Sequence, residues 1–306
     1  MKTRKTVAIS ALLIVVMLGW GATAVKKGIE VWNYTVSDRV NDMGVLNNSI
    51  IVGCEDNSVY SIDKRGNFMW TYRTGGSIKS IYSSGEEIVV GSMDGFIYFL
   101  NDEGNIVWMR HIPGYVGYSH ALHKHGDSIV AGSVDGSVYT FNRDGVFLWT
   151  YKTDSYVIAT RIIDGKIIVV SDRKLYILDS EGVLDKSVDM ESYITSAYVT
   201  DKYVALNVEG NKLNVFDVAG NLLWNYSKKD FFGSMQVTED SVIVGSRNGT
   251  LYVFNVNGTV KWKEDLDSSV VSVHSTDRYI LGGSLDHILY IFDARGRLGE
   301  VYGLDR

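Results

Sequence analysis

One glycine recurs through nearly the whole chain at an almost constant spacing of 38, 38, 41, 37, 38, 38 and 38 residues. The repeated positions are Gly28, Gly66, Gly104, Gly145, Gly182, Gly220, Gly258 and Gly296. Tryptophan stands four residues after six of these glycines, whereas Lys186 and Glu300 stand there in the other two periods. A period near 40 residues is typical of an array in which each period builds one supersecondary unit. The chain is therefore predicted to contain seven such units.

Turn-forming residues divide each period into short strands. An Asn or Asp stands three residues before every repeat glycine except Gly28, a pattern that predicts a hairpin closed by a type I turn and a bulge. A second hairpin is indicated by Asp-Gly or Asn-Gly pairs such as Asp94-Gly95. The strands predicted for the second period are Ile78–Ser83, Glu87–Ser92, Gly95–Leu100 and Asn105–Arg110. Each period thus holds four strands.

The fold class predicted from this pattern is all-β: a seven-bladed β-propeller of four-stranded blades, preceded by one N-terminal hydrophobic helix. Residues 1–27 form the hydrophobic leader and residues 28–306 the propeller. The seventh blade runs through Tyr279 to Phe292 and has no tryptophan in its own outer strand. We therefore predict that Gly28 to Tyr34 supplies that strand and closes the ring, which would remove open sheet edges.

The N-terminal leader has two interpretations. Val7 to Val25 is free of charged residues and, as a helix, would cover about 28 Å of a bilayer core, so residues 6–25 are predicted to anchor the chain in a membrane. The same stretch also fits a signal peptide cleaved after Ala24. Lys2, Arg4 and Lys5 favour a cytoplasmic N-terminus. Both alternatives place the propeller on the extracytoplasmic side, either at the cell membrane or secreted.

Charge argues against nucleic acid as a partner. Residues 1–27 contain five of the 30 basic residues and no acidic residue, so the remainder carries 25 basic against 36 acidic residues, or −11. Phosphate backbones repel a domain of that charge. The single cysteine, Cys54, excludes an internal disulfide.

The repeat unit resembles a known family. Its pattern is Gly-Ser-x-Asp-Gly-x-Val/Ile-Tyr-x-Phe/Leu-Asn/Asp-x-x-Gly-x-x-x-Trp, of which Gly91 to Trp108 is one instance. This unit, found across residues 28–300, is similar to the PQQ-like (BamB-like) β-propeller repeat family, which includes both quinoprotein enzymes and scaffolds. The enzymes that the resemblance implies are longer and hold a quinone beside Ca²⁺, often under a vicinal disulfide. With one cysteine and a shorter turn, this chain is predicted to bind no cofactor.

No catalytic motif stands out in the sequence, since Gly-x-Ser-x-Gly, His-Glu-x-x-His and paired cysteines are all absent. The predicted function is a non-catalytic protein-binding scaffold. A surface glycan-binding module is the alternative. An enzymatic function is a further alternative, because the catalytic groups of a propeller come from separate blades and leave no local motif.

The predicted partner site is the loop between the second and third blades. It has three extra residues and the only proline, Pro113, and insertions in a strict repeat map to exposed binding loops. Aromatic residues recur in the corresponding loops of later blades. The predicted partner-binding residues are Arg110, His111, Tyr115, Tyr118, Tyr156, Tyr193, Phe231 and Phe232. The alternative is that these aromatics fill the channel or pack between blades.

Two further clusters of side chains in the sequence suggest sites for cations. His123 and His125 alternate along a strand and would share one side of it, where they could hold a divalent metal, although the sequence offers no third ligand. The alternative is a polar turn with exposed histidines. A mostly acidic ring is predicted at the turns between the second and third strands of the blades. It would either attract cations or only stabilise those turns. Its members are Asp56, Asp94, Asp135, Asp172, Glu209, Asn248 and Asp286.

Overall fold

The computed structural model describes residues 34–46, 48–209, 211–228, 232–276 and 278–303. These residues form seven antiparallel sheets, each with four strands in sequential order. The first three sheets are β1 (Val40–Val45), β2 (Ser49–Cys54), β3 (Ser58–Asp63), β4 (Phe68–Arg73); β5 (Ile78–Ser84), β6 (Glu87–Ser92), β7 (Phe96–Asn101), β8 (Ile106–His111); and β9 (Leu122–His125), β10 (Ser128–Gly132), β11 (Ser137–Asn142), β12 (Phe147–Lys152). The fourth and fifth are β13 (Val157–Ile163), β14 (Lys166–Ser171), β15 (Lys174–Asp179), β16 (Leu184–Asp189); and β17 (Ile194–Val199), β18 (Tyr203–Val208), β19 (Lys212–Asp217), β20 (Leu222–Ser227). The sixth and seventh are β21 (Phe232–Val237), β22 (Ser241–Ser246), β23 (Thr250–Asn255), β24 (Val260–Asp265); and β25 (Val270–Ser275), β26 (Tyr279–Ser284), β27 (Ile288–Asp293), β28 (Leu298–Gly303).

The seven-bladed, four-stranded prediction is confirmed. In the second sheet, every strand boundary lies within one residue of the predicted one. The first strand of each sheet packs against the first strand of the next, from β1 to β25, so these strands are the inner ones. The fourth strands are the outer ones, and most of their side chains are exposed.

Apolar clusters join neighbouring sheets. Between the second and third sheets, Ile97 and Phe99 pack with Ile129 and Phe141. Comparable clusters join each of the other consecutive pairs of sheets from the first to the seventh. The second to sixth sheets each lie between two others, so their middle strands are buried on both faces, which explains the near-continuous apolar runs of these strands.

The repeat glycines close the hairpins between third and fourth strands, as predicted. At Gly104 the φ angle is 83°, a left-handed conformation that glycine adopts without strain. Its amide donates to the Asn101 carbonyl at 3.0 Å, and the ladder slips by one residue beside it, between Phe99 and Leu100. The turn chemistry of the sequence thus sets where each outer strand begins.

The outer strand of the seventh sheet corrects the prediction for Gly28 to Tyr34. That position is occupied by β28, whose Leu298 pairs with Phe292 of β27. The turn before β28 has the usual Asp293 and Gly296, and ladder pairing uses backbone groups, so the strand forms without a tryptophan. Residues 28–33 lie outside the described residues, and closure of the ring by them stays a prediction.

No helix in the described part of the chain has the length and apolar character needed to cross a bilayer. The predicted N-terminal helix lies outside that part.

Candidate functional site

The loops that lead from each outer strand to the next inner strand share one end of the propeller with the turns between second and third strands. We call this end the loop face; its loops include residues 74–77, 112–121, 153–156, 190–193 and 266–269. Backbone hydrogen bonds join the two kinds of segment, as where the Ile112 amide donates to the Gly95 carbonyl at 2.8 Å.

The longest of these loops, residues 112–121, is held in place by its own side chains and backbone. Ile112 and Val116 are each only 1% exposed, so both side chains lie in the core between the second and third sheets. The Tyr115 carbonyl accepts the Val134 amide at 3.0 Å. A loop anchored in this way presents its surface residues in a fixed position.

Two tyrosines from neighbouring loops stack on the loop face. The rings of Tyr118 and Tyr156 lie 5.6 Å apart with planes inclined by 16°. Tyr118 is 39% exposed, so the pair offers aromatic surface to solvent. Burial of its remaining part, with a contribution from Tyr156, raises the pKa of Tyr118. We call these two residues the tyrosine pair.

Tyr193 lies on the next loop, and the side chain of an arginine packs against its ring. The Arg173 guanidinium stands 3.9 Å from the centre of the Tyr193 ring, a cation–π contact. The Tyr193 carbonyl accepts the Glu209 amide at 2.7 Å, which fixes the loop while 45% of the residue remains exposed. Sequence reasoning missed Arg173, which comes from the turn between β14 and β15, because the contact joins two segments that meet only in the fold.

Three of the predicted partner residues are less suited to binding. Arg110 does not lie on the loop: its Nε donates to the Gly145 carbonyl at 2.6 Å and its guanidinium stands 5.7 Å from the Trp108 ring, on the outer side of the propeller. His111 is exposed at the end of β8, with its ring against Phe96. Phe232 is buried between the fifth and sixth sheets. Tyr115 is partly exposed, as Tyr156 is, and Phe231 lies outside the described residues.

The acidic ring serves the turns in the first three sheets. Asp94 accepts the Phe96 amide at 2.9 Å, the Gly75 amide at 2.8 Å and the Tyr98 hydroxyl at 2.5 Å. The same tyrosine-to-aspartate bond, four residues apart, recurs as Tyr60 to Asp56 and Tyr139 to Asp135. Since these carboxylates are already hydrogen-bonded, the turn interpretation explains them.

In the described residues, no group of three or more metal-ligating side chains occurs around the histidines or elsewhere. His123 accepts the Ile162 amide on Nδ1 at 3.2 Å and packs against Tyr82. Burial lowers the pKa of His123 to about 4. His125 is exposed. The two residues therefore have different environments, although both belong to β9.

Two other inner strands in the described part of the chain make a bond of the same kind as the His123 bond. In each link a side chain accepts the backbone amide of the residue 39 positions later, on the next sheet: Asp42 from Ile81, His123 from Ile162, and Gln236 from Ser275. Burial raises the pKa of Asp42 to about 8 against the effect of two backbone donors. Asp42 and His123, whose pKa values change most on the inner strands, thus both accept a backbone amide of the next sheet. Asp42 lies on the first sheet and His123 on the third.

The chain matches two family models. The model described as outer membrane protein assembly factor BamB matches residues 11–115 and 187–305, and the model described as lambda-carrageenase beta-propeller domain matches residues 88–213. No curated protein matches the chain.

Solved structures share the architecture. The computationally designed Ika8 protein is 18% identical with a TM-score of 0.76, covering 86% of each chain. BamB from Moraxella catarrhalis is 17% identical with a TM-score of 0.66, covering 87% of this chain and 86% of its own. Sqt1 of Saccharomyces cerevisiae is 15% identical with a TM-score of 0.73, covering 86% and 84%. At these identities the likeness is one of fold.

Proposed function

The chain belongs to the BamB-like family of PQQ-type propellers, and from that membership we propose that it is a non-catalytic scaffold that binds another protein on its loop face. The observation that carries the proposal is the tyrosine pair, which stands partly exposed on loops whose backbones are fixed. Tyrosine and arginine are the residue types that tend to dominate interface energies, and Tyr193 with Arg173 adds a second such pair nearby.

Rigidity of the loops supports this proposal. A partner that contacts a mobile loop must order it, which costs about 0.5–1.5 kcal/mol for each immobilised side chain. Here Tyr118 and Tyr156 already restrict each other, and Ile112 and Val116 hold the longest loop in the core. Most of the ordering is therefore complete before a partner arrives.

The net negative charge of the residues after 27 favours a basic partner surface. The carboxylates of Asp154, Asp172 and Asp189 lie on this face around the two aromatic pairs, and the residues after 27 carry a net charge of −11. Lys174 pairs with two of these three, Asp154 and Asp189. Electrostatic complementarity of this kind speeds encounter more than it deepens affinity.

We further propose that residues 6–25 tether the propeller to a membrane with the propeller on the extracytoplasmic side, or direct secretion if the chain is cleaved after Ala24. The uncharged stretch between Val7 and Val25 and the basic residues before it support this placement.

Replacing both Tyr118 and Tyr156 with alanine should weaken partner capture by about tenfold or more while leaving the melting temperature nearly unchanged. Crosslinking and pull-down of the full chain from native membranes measures capture. Tyr279→Ala is the matched control, since this tyrosine is 37% exposed at the opposite end of the seventh sheet. Equal capture by the double variant and the control would refute the proposed site.

A glycan is the second candidate ligand of the same face. The match to the lambda-carrageenase propeller model covers residues 88–213, which include the tyrosine pair and Tyr193. Exposed aromatic faces suit the apolar faces of sugar rings, and the surrounding carboxylates favour a neutral saccharide over an anionic one. A glycan array probed with the full chain tests this; signal that Tyr118→Ala abolishes would favour the glycan, and an array without signal would leave the protein partner as the better proposal.

A further inference from the structure

Five tripeptides of the form Asn-x-Ser/Thr occur in the sequence, and this is the acceptor motif for N-linked glycosylation of exported proteins. They begin at Asn33, Asn47, Asn225, Asn248 and Asn257. The first two begin outside the described residues. The motif requires a hydroxyl group at its third position, so an enzyme must reach that group as well as the asparagine amide. Exposure and hydrogen bonding therefore separate the remaining three tripeptides.

Asn257 presents both groups at the tip of the turn between β23 and β24. Asn257 and Thr259 are exposed, and the Thr259 amide and hydroxyl donate to Asn257 Oδ1 at 3.1 Å and 2.8 Å. The Asn257 Nδ2 group donates to no other group in the described part of the chain. The turn thus holds the hydroxyl beside the amide oxygen and leaves the amide nitrogen open to solvent.

Asn225 presents its amide from the outer strand β20. Tyr226 packs in the apolar cluster between the fifth and sixth sheets, so alternation along the strand turns Asn225 and Ser227 to the other side. Both of these residues are exposed. Among the described residues, none is hydrogen-bonded to the Asn225 side chain. This tripeptide is therefore also within reach of an enzyme.

Asn248 differs from these two, because its turn uses both polar groups of the motif. It lies between β22 and β23 on the loop face, where its Oδ1 accepts the Thr250 amide at 3.3 Å and the Ser246 hydroxyl. Thr250 is only 4% exposed, and its hydroxyl donates to Asp265 Oδ1 at 2.7 Å. An enzyme cannot reach that hydroxyl without opening the turn.

The two accessible asparagines lie away from the loop face and close to exposed apolar side chains. Leu223, two residues before Asn225, is 47% exposed, and Val260, three residues after Asn257, is 44% exposed. A saccharide is bulky and solubilising, so one attached at each asparagine would cover apolar surface on the outer strands of the fifth and sixth sheets. The tyrosine pair on the loop face would remain uncovered.

We infer that Asn225 and Asn257 are N-glycosylated and that Asn248 is not. The donor is a lipid-linked saccharide pyrophosphate. The asparagine Nδ2 bonds to C1 of the first sugar, the bond from C1 to the phosphate oxygen breaks, the lipid pyrophosphate leaves, and an amide proton passes to a base of the transferase. The inference rests on the proposed extracytoplasmic placement, because the motif is an acceptor in exported proteins.

The test is peptide mass spectrometry of the full chain isolated from native membranes and culture medium. The expected result is a saccharide on the peptides with Asn225 and Asn257 and none on the peptide with Asn248. Labelling of intact cells with a membrane-impermeant amine reagent reports the placement separately. A labelled chain that lacks a saccharide at either expected site, or carries one at Asn248, would overturn the inference and leave the placement standing. A chain that is neither labelled nor glycosylated would overturn both.

Variants of the third motif position show whether the hydroxyl is read. Thr259→Ala should lower the occupancy of Asn257 at least about tenfold, while Asn225 of the same molecule keeps its saccharide and so reports normal folding and export. Thr259→Ser retains the hydroxyl and should restore occupancy. Asn221→Gln is the matched control, because Asn221 is exposed on the fifth sheet and begins no such motif, so the attached mass should not change. Unchanged occupancy of Asn257 in Thr259→Ala would also overturn the inference.

Discussion

Trp108→Ala should lower the free energy of unfolding by about 3–5 kcal/mol, the usual range for truncating a buried tryptophan. Trp108 is only 8% exposed, stacks on Phe99 with ring centres 5.3 Å apart, and donates its indole N–H to the Arg143 carbonyl at 2.8 Å. Its ring also fills the space left by the missing side chain of Gly145. One substitution therefore removes apolar burial, an aromatic contact and a hydrogen bond from the same interface. Denaturant unfolding measures the loss.

The damage should be local. In a repeat architecture each unit contacts chiefly its neighbours, so hydrogen exchange should rise in the second and third sheets and change little in the sixth. Val107→Ala is the control, since this neighbour on β8 is 58% exposed and its loss should change stability by less than about 0.5 kcal/mol. A Trp108→Ala protein as stable as Val107→Ala would show that the tryptophan-to-glycine contact contributes little.

The sheets were predictable because their determinants are local in the sequence. Asn101 and Gly104 specify a turn within four residues, and the apolar runs of β6 and β7 specify strands that are buried on both faces. The repeats then tested this assignment, because the same turn residues and strand patterns had to recur in every period. A single hairpin offers no such test. Strand boundaries within one residue of those predicted for the second sheet follow from that redundancy.

The outer strand of the seventh sheet was assigned wrongly because tryptophan was used as its marker. The side chain at that phase docks on the following sheet, whereas strand pairing depends on backbone groups and on the turn at Asp293 and Gly296. The fourth sheet makes the distinction clear. Lys186 stands at the tryptophan phase there, and its ammonium group donates to the Ala219 carbonyl at 3.2 Å, across the same interface. The residue at the tryptophan position therefore indicates contact with the next sheet, and does not determine whether the outer strand forms.

The sequence predicted the candidate site only in part, because it specifies neither the direction of a long side chain nor which loops are in contact in the fold. Arg110 is close to the loop in sequence, yet its Nε donates to the Gly145 carbonyl in the turn between β11 and β12 of the third sheet. Tyr118 and Tyr156 were both predicted as partner residues, but their stacking depends on the angle between two sheets, which no local pattern encodes. Tyr98, four residues after Asp94, was the available signal that the acidic ring serves the turns.

Asp42→Asn should change how stability depends on pH. Asp42 is buried on β1, where its carboxyl group accepts the Ile81 amide of the second sheet at 2.7 Å and the Met43 amide at 2.9 Å. Burial raises its pKa from 3.8 to about 8. Between these two values the folded protein retains a proton that the unfolded chain has released, so the free energy of unfolding falls as the pH rises through this window.

Asparagine keeps a carbonyl acceptor and has no proton to lose, so the variant should lack this fall. Each pH unit between the folded and unfolded pKa corresponds to about 1.4 kcal/mol. We expect the stability difference between variant and wild type to move in favour of the variant by roughly 3–5 kcal/mol from pH 4.5 to pH 8. Urea unfolding at several pH values measures this difference, from which the titration of all other groups cancels.

Asp63→Asn is the control of opposite sign. The side chain and amide of Asn67 hold the pKa of exposed Asp63 below 3.8, so its ionised form contributes stability that is present above about pH 4 and lost on acidification. Removing that charge should therefore weaken the protein at neutral pH and not at low pH. Parallel pH profiles for Asp42→Asn and wild type would contradict the assignment of a retained proton, and would mean that the two backbone donors outweigh burial at Asp42.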